Sequence, residues 1–417
     1  MKMHWQILIA LALAVAAGAA SGPGGSWLPA FDFVGRLFLN ALFMLIVPLV
    51  VCAIINGLSG SSGARHLGRI GLRTLAYYAG TGLLAILTGL LMVNWLRPGI
   101  VDGAPAGPRL GLAEDTGQLL QRLQGYDAGD MLGVLQQLFP PNLIAAASEG
   151  NIVGLIVFSL LFGFFVNRLP EDLAGSQRRF WQGAYEVMSR ITRLVMRFAP
   201  VGVFALVAAV VARTGWEALR PLALFFAAVL LGLLAHALVT LPLVLRLVAR
   251  VSPLQHYRAM SPALLTAFST SSSAATLPVT IDCVERRAGV SKRVTGFVLP
   301  IGANVNTDGT ALYECAAALF IAQAYGLELG LAGQFVVVMI ALLTGFGMAG
   351  IPSASLVAIG VILTAVGLPL EGVGLILAVD RLLDMCRTAV NVLGDGCAAV
   401  VVGRLEGEAG ILAKPVS

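Results

Sequence analysis

Charge is what this chain of 417 residues has least of: Asp, Glu, Lys and Arg make up 12% of it, about half the share of an ordinary soluble domain. So few charges cannot clothe a water-exposed globule. They also argue against a nucleic-acid surface, because the net charge of +5 is spread over short loops and not gathered on one face. Histidine is scarce and scattered; His4, His66, His236 and His256 read as interface or packing residues. The five cysteines, Cys52, Cys283, Cys315, Cys386 and Cys397, stand in or beside apolar segments without metal-ligand spacing, which predicts free thiols and no disulfide. No nucleophile is paired with a base and no phosphate-binding loop appears, so the chain is not expected to be an enzyme. Gly80-x-Gly82, inside an apolar span, is a packing feature and not a dinucleotide site.

What is abundant is apolar surface. Hydrophobic residues make up 58% of the chain and mean hydropathy is +0.88, which identifies a polytopic membrane protein. Stretches of spanning length run over about 5–21, 36–57, 74–96, 152–167 with its flanks, 190–212 and 222–248, and four more apolar segments follow between 260 and 403. The first also has the layout of a secretory signal, with Ala17, Ala19 and Ala20 near its end, but is read as a span. Arginines and lysines cluster at Arg65, Arg69 and Arg73, at Arg178 and Arg179, at Arg246, Arg250 and Arg258, and at Arg286, Arg287, Lys292 and Arg293. The positive-inside rule makes those loops and Lys2 cytoplasmic, with both termini inside a cell (inner) membrane and the acidic loop of roughly 97–140 outside.

Polar residues interrupt the apolar pattern in three places after residue 250. Phe268-Ser-Thr-Ser-Ser-Ser-Ala-Ala-Thr-Leu-Pro278 and Thr344-Gly-Phe-Gly-Met-Ala-Gly-Ile-Pro-Ser-Ala-Ser355 each read as a hairpin that enters the membrane, turns and leaves by the same side. Paired interruptions of this kind point to a transporter site at a repeat interface. Between them, Gly302 to Thr310 carries polar side chains at every second residue, so an unwound, strand-like turn fits better than a helix. It offers carbonyls, the Asn306 amide and the Asp308 carboxylate to a hard cation. Glu314, further along in an apolar helix, is a carboxyl suited to proton uptake.

The last segment holds the densest polar stripe. At about 100° per residue, Asp380, Asp384, Arg387, Asn391 and Asp395 fall within less than about 90° of one helix face. Burying each charge in a membrane costs roughly 2.5 to 3.5 kcal/mol, so these groups must pair or bind something. A purely structural Asp384–Arg387 bridge at i, i+3 leaves Asp380 and Asp395 without partners.

In order across about 255–403, the serine-rich hairpin ending Thr276-Leu277-Pro278, the Asn306-x-Asp308-Gly309-Thr310 turn, the Gly350-Ile351-Pro352 hairpin and the Asp380 to Asp395 helix resemble the glutamate transporter family, the dicarboxylate/amino acid:cation symporters. The resemblance implies an all-α membrane fold of eight transmembrane helices plus two re-entrant helical hairpins, built from inverted repeats and working as an elevator in a homotrimer. It divides the chain into scaffold at 1–69, transport domain at 70–97, extracellular loop and scaffold at 98–213, and transport domain again at 214–417.

Carried over by position, Arg387 with Thr310 would grip a side-chain carboxylate and Asp384 an ammonium. Thr388, Asn391 and the backbone around Ser272, Ser273 and Ile351 would take the α-carboxylate. That chemistry fits an acidic amino acid better than a plain C4-dicarboxylate, which would meet Asp384 as a repelling charge. One sodium ion would sit on Asp395 with Gly302, Asn306 and Asn391. A second would lie under Gly345, Phe346 and Met348 with Asn304, and a third would use Tyr78, Thr81, Asn306 and Asp308. Glu314 matches a position linked to proton co-transport and potassium counter-transport. The retained Asp395 favours sodium coupling; the alternative is a proton-coupled symporter of acidic amino acids or C4-dicarboxylates. A dedicated ion channel would not need the Asp384 and Arg387 pair. Thr307, Gly82 and Ser355 depart from the family's usual methionine, hydroxyl residue and glycine. Ser271 and Met385 occupy the two positions where an arginine normally partners the aspartate, and Arg381 stands one turn away as the substitute.

Overall fold

A chain that crosses lipid must satisfy every backbone N–H and C=O within itself, which leaves helices as the economical solution for these apolar runs. The computed structural model describes residues 3–22, 24–59, 69–110, 112, 139–149, 152–215, 219–348 and 354–412. Among these the only strands are the two-residue β1 (Ile100–Val101) and β2 (Ala104–Pro105), an antiparallel turn.

The helices are α1 (Met3–Ser21), α2 (Leu28–Phe43), α3 (Ile46–Ser59), α4 (Arg69–Leu96), α5 (Leu143–Glu149), α6 (Ile152–Val166), α7 (Glu171–Arg197) and α8 (Ala199–Thr214). They continue as α9 (Leu219–Ala249), α10 (Pro253–Thr270), α11 (Ser273–Asp282), α12 (Lys292–Val305), α13 (Asp308–Ala324), α14 (Leu331–Met348), α15 (Ala354–Ala365) and α16 (Gly372–Leu405). Leu28–Ser59, α4, α9 and α16 are each long and apolar enough to span a membrane, and α7 with α8 forms a further candidate span bent by 50°.

Packing sorts these helices into two neighbourhoods. In one, α1 and α2 lie on α8 while α3 lies on α6 and α7; in the other, α4, α9, α10, α12 and α13 gather around one another and around α16. Contact between the two runs mainly through α14 against α3 and through α8 against α16. At the basic end, Glu406 ties the second neighbourhood together, accepting from Arg73 at 2.7 Å and Arg69 at 3.3 Å, with Arg293 at 3.7 Å.

The serine-rich interruption folds as its composition predicts. Ser271 adopts the left-handed conformation (φ 50°), and the Ser272 hydroxyl accepts from the Ala275 N–H at 3.2 Å, so α10 stops and α11 starts within two residues. The two helices pack on each other and on α16. Helices α14 and α15 also pack together around the second interruption, whose Ile351 lies outside the described residues.

The third interruption corrects the expectation of a strand-like turn. Helix α12 runs to Val305 and α13 begins at Asp308, so only Asn306 (φ −77°, ψ 109°) and Thr307 leave the helical path. The reason is backbone satisfaction: the Asn306 N–H still reaches the Gly302 carbonyl at 2.8 Å, and the Thr307 carbonyl accepts from Ala311 at 2.7 Å. A longer extended stretch would leave such groups unpaired in an apolar interior.

Candidate functional site

Side chains on a helix lean toward its N-terminus, so Arg387 on α16 reaches back along its own helix. Its Nη2 donates to Asp384 Oδ1 at 3.0 Å and to Asp380 Oδ1 at 3.1 Å. Asp380 is therefore not unpartnered, as the i, i+3 bridge alone had left it. Arg381 Nη1 donates to the other oxygen of Asp384 at 3.0 Å, which puts a guanidinium where the expected substitute arginine should stand. Two carboxylates and two guanidiniums thus balance in formal charge.

Arg387 itself is 1% exposed and its guanidinium lies over the Tyr313 ring, 3.9 Å from the centroid. That face-on contact replaces water with a π-cloud on one side of the cation. Its Nε and Nη1 are buried without a partner among the described residues. Two bare donors on a buried cation are suited to receive an anion, each offering one charge-assisted bond from a different edge of the guanidinium.

Asn391, one turn further on, stitches α16 to α13. Its Oδ1 accepts from the Gly309 N–H at 2.8 Å and its Nδ2 donates to the Thr310 hydroxyl at 3.1 Å. Gly309 is required by proximity, since a Cβ there would come within 2.9 Å of the Arg387 carbonyl oxygen. Thr310, Arg387 and Asn391 are thereby brought together. Thr388 is buried and spends its hydroxyl on the Asp384 carbonyl at 2.8 Å. Ser272 and Ser273 lie at the α10–α11 turn; among the described residues no hydrogen bond links either to Arg387.

A second polar centre lies beside the first. Asp395, 2% exposed, accepts from Asn306 Nδ2 at 2.9 Å, and the same nitrogen donates to the Asn391 carbonyl at 2.8 Å. Gly302 sits so close that a Cβ would strike both Asp395 and the Tyr78 hydroxyl. Tyr78 donates to the Val298 carbonyl at 3.2 Å, and Thr81 donates to Asp308 Oδ1 at 3.3 Å. The Asn304 amide turns outward onto the Pro300 carbonyl at 2.8 Å. Phe346 and Met348 end α14, while Gly345 faces Thr307, whose Oγ1 would lie 2.5 Å from an added Cβ. Asn306 Oδ1 is buried with no partner among the described residues, an acceptor of the kind that hard cations take. Glu314 is 3% exposed and meets the Thr344 hydroxyl at 3.5 Å.

Two residues escaped the sequence. Tyr313 was hidden because stacking beneath Arg387 joins different helices. His236, read as packing, is fully buried in α9 with its Nε2 at 3.2 Å from Asp308 Oδ2. The available signal was its place inside an apolar span, where an ionisable residue is functional by default. His256 is also buried, and among the described residues neither of its ring nitrogens has a partner.

Interrupted helices that converge on buried, oppositely charged side chains, within a bundle of membrane-length helices, define a membrane transporter. Its kind is settled by comparison: the sequence profile described as the sodium:dicarboxylate symporter family matches residues 3–405, and the chain belongs to that family. It is 35% identical over 412 residues to the proton/glutamate-aspartate symporter of Escherichia coli (strain K12), covering 97% of this chain and 93% of that one. It is 35% identical over 463 residues to excitatory amino acid transporter 3 of Mus musculus, covering 97% and 86%. A proton/sodium-glutamate symport protein of Bacillus caldotenax is 32% identical over 408 residues, covering 97% and 95%. Membership makes the chain a multi-pass transporter and not an enzyme.

Proposed function

We propose that this protein is a secondary active transporter that couples movement of an acidic amino acid, aspartate or glutamate, to sodium in symport, with Glu314 carrying a proton. The observation that carries the proposal is the Arg387 guanidinium, buried and with Nε and Nη1 unpartnered among the described residues, set in a charge-balanced group with Asp380, Asp384 and Arg381. The guanidinium takes the substrate's side-chain carboxylate, with Thr310 beside it. Asp384 takes the ammonium, and Thr388, Asn391 and the hairpin tips at Ser272, Ser273 and Ile351 close on the α-carboxylate. The names of the relatives, which specify glutamate, aspartate and excitatory amino acids, support the same class.

Coupling follows from charge. A substrate of net charge −1 added to a balanced group, beside the buried Asp308 and Asp395, leaves up to three negative charges in a region that must cross lipid. Moving them uncompensated is prohibitive. Monovalent cations at Asp395 with Gly302, Asn306 and Asn391, at the Asn304 carbonyl with Gly345, Phe346 and Met348, and at Asp308 with Tyr78, Thr81 and Asn306 remove that barrier. Substrate favours the crossing conformation only through its differential affinity for it, which the cations supply.

The two packing neighbourhoods support an elevator: α1 to α3 and α6 to α8 as a scaffold, with α4 and α9 to α16 moving as a body, the α10–α11 and α14–α15 hairpins re-entrant. Apolar side chains exposed on α2, α6 and α7, among them Phe33, Leu37, Phe165 and Phe180, would be covered by lipid and by the neighbouring copies of a homotrimer. The loop charges support a topology with both termini on the cytoplasmic side of the cell (inner) membrane.

The second reading is proton-only coupling, favoured by Glu314, whose recorded partner is a hydroxyl and not a cation. Uptake of labelled L-aspartate into proteoliposomes separates the two. Accumulation under an inward sodium gradient supports the proposal; accumulation driven only by an acid-outside gradient replaces sodium with protons. No uptake under either sinks both.

A further inference from the structure

Asp308 opens α13 and is 1% exposed. Its carboxylate is held from two sides, with Oδ1 accepting from the Thr81 hydroxyl at 3.3 Å and Oδ2 lying 3.2 Å from His236 Nε2. His236 is the first residue of a π-helical turn in α9 and is fully buried. Its Nδ1 has no partner among the described residues. The contact suits Nε2 donating to Oδ2, so the imidazole holds one oxygen of the carboxylate through a single ring nitrogen.

The other oxygen, Oδ1, faces α4, 3.6 Å from where a Cβ on Gly82 would stand. Nearby, Asn306 turns its Nδ2 to Asn391 and Asp395, and its Oδ1 is buried without a partner among the described residues. Tyr78, Gly82, Thr307 and Asp308 line a cavity of about 20 Å³, room for one water-sized species. From the third side, a Cβ on Gly394 would come within 3.3 Å of Asp308 Oδ2, so α16 leaves the carboxylate little freedom to turn away.

We infer that His236 is the positioning residue of the Asp308 carboxylate, fixing Oδ2 from α9 so that Oδ1 stays aimed at Thr81 and the cavity beside Gly82 and holds its cation tightly. The inference rests on the sodium-coupled reading above. A ring that reaches one oxygen of the carboxylate suits this place. An arginine or lysine would neutralise Asp308 and remove the reason for a cation to bind, whereas an apolar residue would leave Oδ2 without a donor and free the carboxylate to swing. Groups that orient a ligand from behind are worth about 10- to 100-fold in metal affinity.

The test uses the purified full-length protein. Sodium chloride is titrated against thermal stability without substrate and against labelled L-aspartate uptake in proteoliposomes. His236→Leu and His236→Phe remove the donor, the second keeping a ring, and His236→Gln keeps a donor. The donor-free variants should need about 10- to 100-fold more sodium for half-maximal effect in both assays, with His236→Gln closer to wild type than either. Donor-free variants that titrate like wild type, or a His236→Gln as impaired as His236→Leu, would overturn the inference alone. A wild type that shows no sodium response and takes up aspartate on a proton gradient overturns the sodium reading and this inference together. Should neither donor-free variant fold, His236→Gln decides: a wild-type sodium titration upholds the inference and a strongly raised one refutes it.

Discussion

Replacing Arg387 with alanine removes two buried donors, Nε and Nη1, that have no partner among the described residues. A hydrogen bond to a charged group contributes about 1.5 to 3 kcal/mol, so two of them give about 3 to 6 kcal/mol, or roughly 100- to 20,000-fold in affinity at 1.4 kcal/mol per decade. Arg387→Lys restores a charge without the guanidinium and should recover only part of that. Arg387→Ala also strips Asp380 of its arginine partner, while Asp384 keeps Arg381 at 3.0 Å. Since breaking a buried pair costs about 3 to 5 kcal/mol, loss of binding must be separated from loss of fold. Arg387→Ala combined with Asp380→Asn relieves the stranded charge and provides that control. The assay is equilibrium binding of labelled L-aspartate to purified protein, with thermal stability read alongside. Binding of aspartate by a folded Arg387→Ala within a few-fold of wild type would refute the carboxylate role. Uptake of a neutral amino acid by the variant, where wild type takes none, would support it.

Three further outcomes are expected. Glu314→Gln should flatten the dependence of aspartate uptake on external pH, and an unchanged pH profile would reduce Glu314 to a tolerated polar residue. Gly302→Ala should lower thermal stability by about 1 to 3 kcal/mol through overpacking and weaken the sodium dependence of uptake, because its Cβ would collide with Asp395 and Tyr78; wild-type values for both would show that the Asp395 site yields easily. At the β1–β2 turn, Arg109 and then Arg220 hold the Asp102 carboxyl below its usual range. A depressed value stabilises the turn above the unfolded carboxylate's pKa of about 3.9 and is lost as pH falls through the folded one. Exchange of the Ala106 amide with deuterium should therefore be steady in relative protection between about pH 4.5 and 7 and lose protection only in stronger acid.

Much of the fold was legible because lipid narrows the choices. Long apolar runs gave the helices, and the serine run with its proline marked a two-residue break that Ser271 and Ser272 complete. The break at Asn306 and Thr307 was located but drawn too wide, since alternating polar side chains say nothing about backbone bonds that still close across it. Arg381 could be picked out as a partner for Asp384 because i, i+3 neighbours share a helix face. The pairing of Asp380 with Arg387 spans two turns, a reach that depends on the long arginine side chain leaning toward the N-terminus. His236 and Asp308 stand 72 positions apart in different helices, and no local spacing rule connects them.

Helix α9 contains two π-helical turns, His236–Thr240 and Leu245–Ala249. Such a turn amounts to one residue inserted into an α-helix, and each insertion advances everything beyond it by about 100° relative to an uninterrupted helix. A helical wheel drawn over the whole segment therefore scrambles its faces. Deleting one residue from Ala237–Thr240 would keep the span hydrophobic yet re-phase its C-terminal part against His236. In any transplant or chimera of this span, residue count matters as much as residue identity, because a one-residue error is a rotation and not merely a shortening.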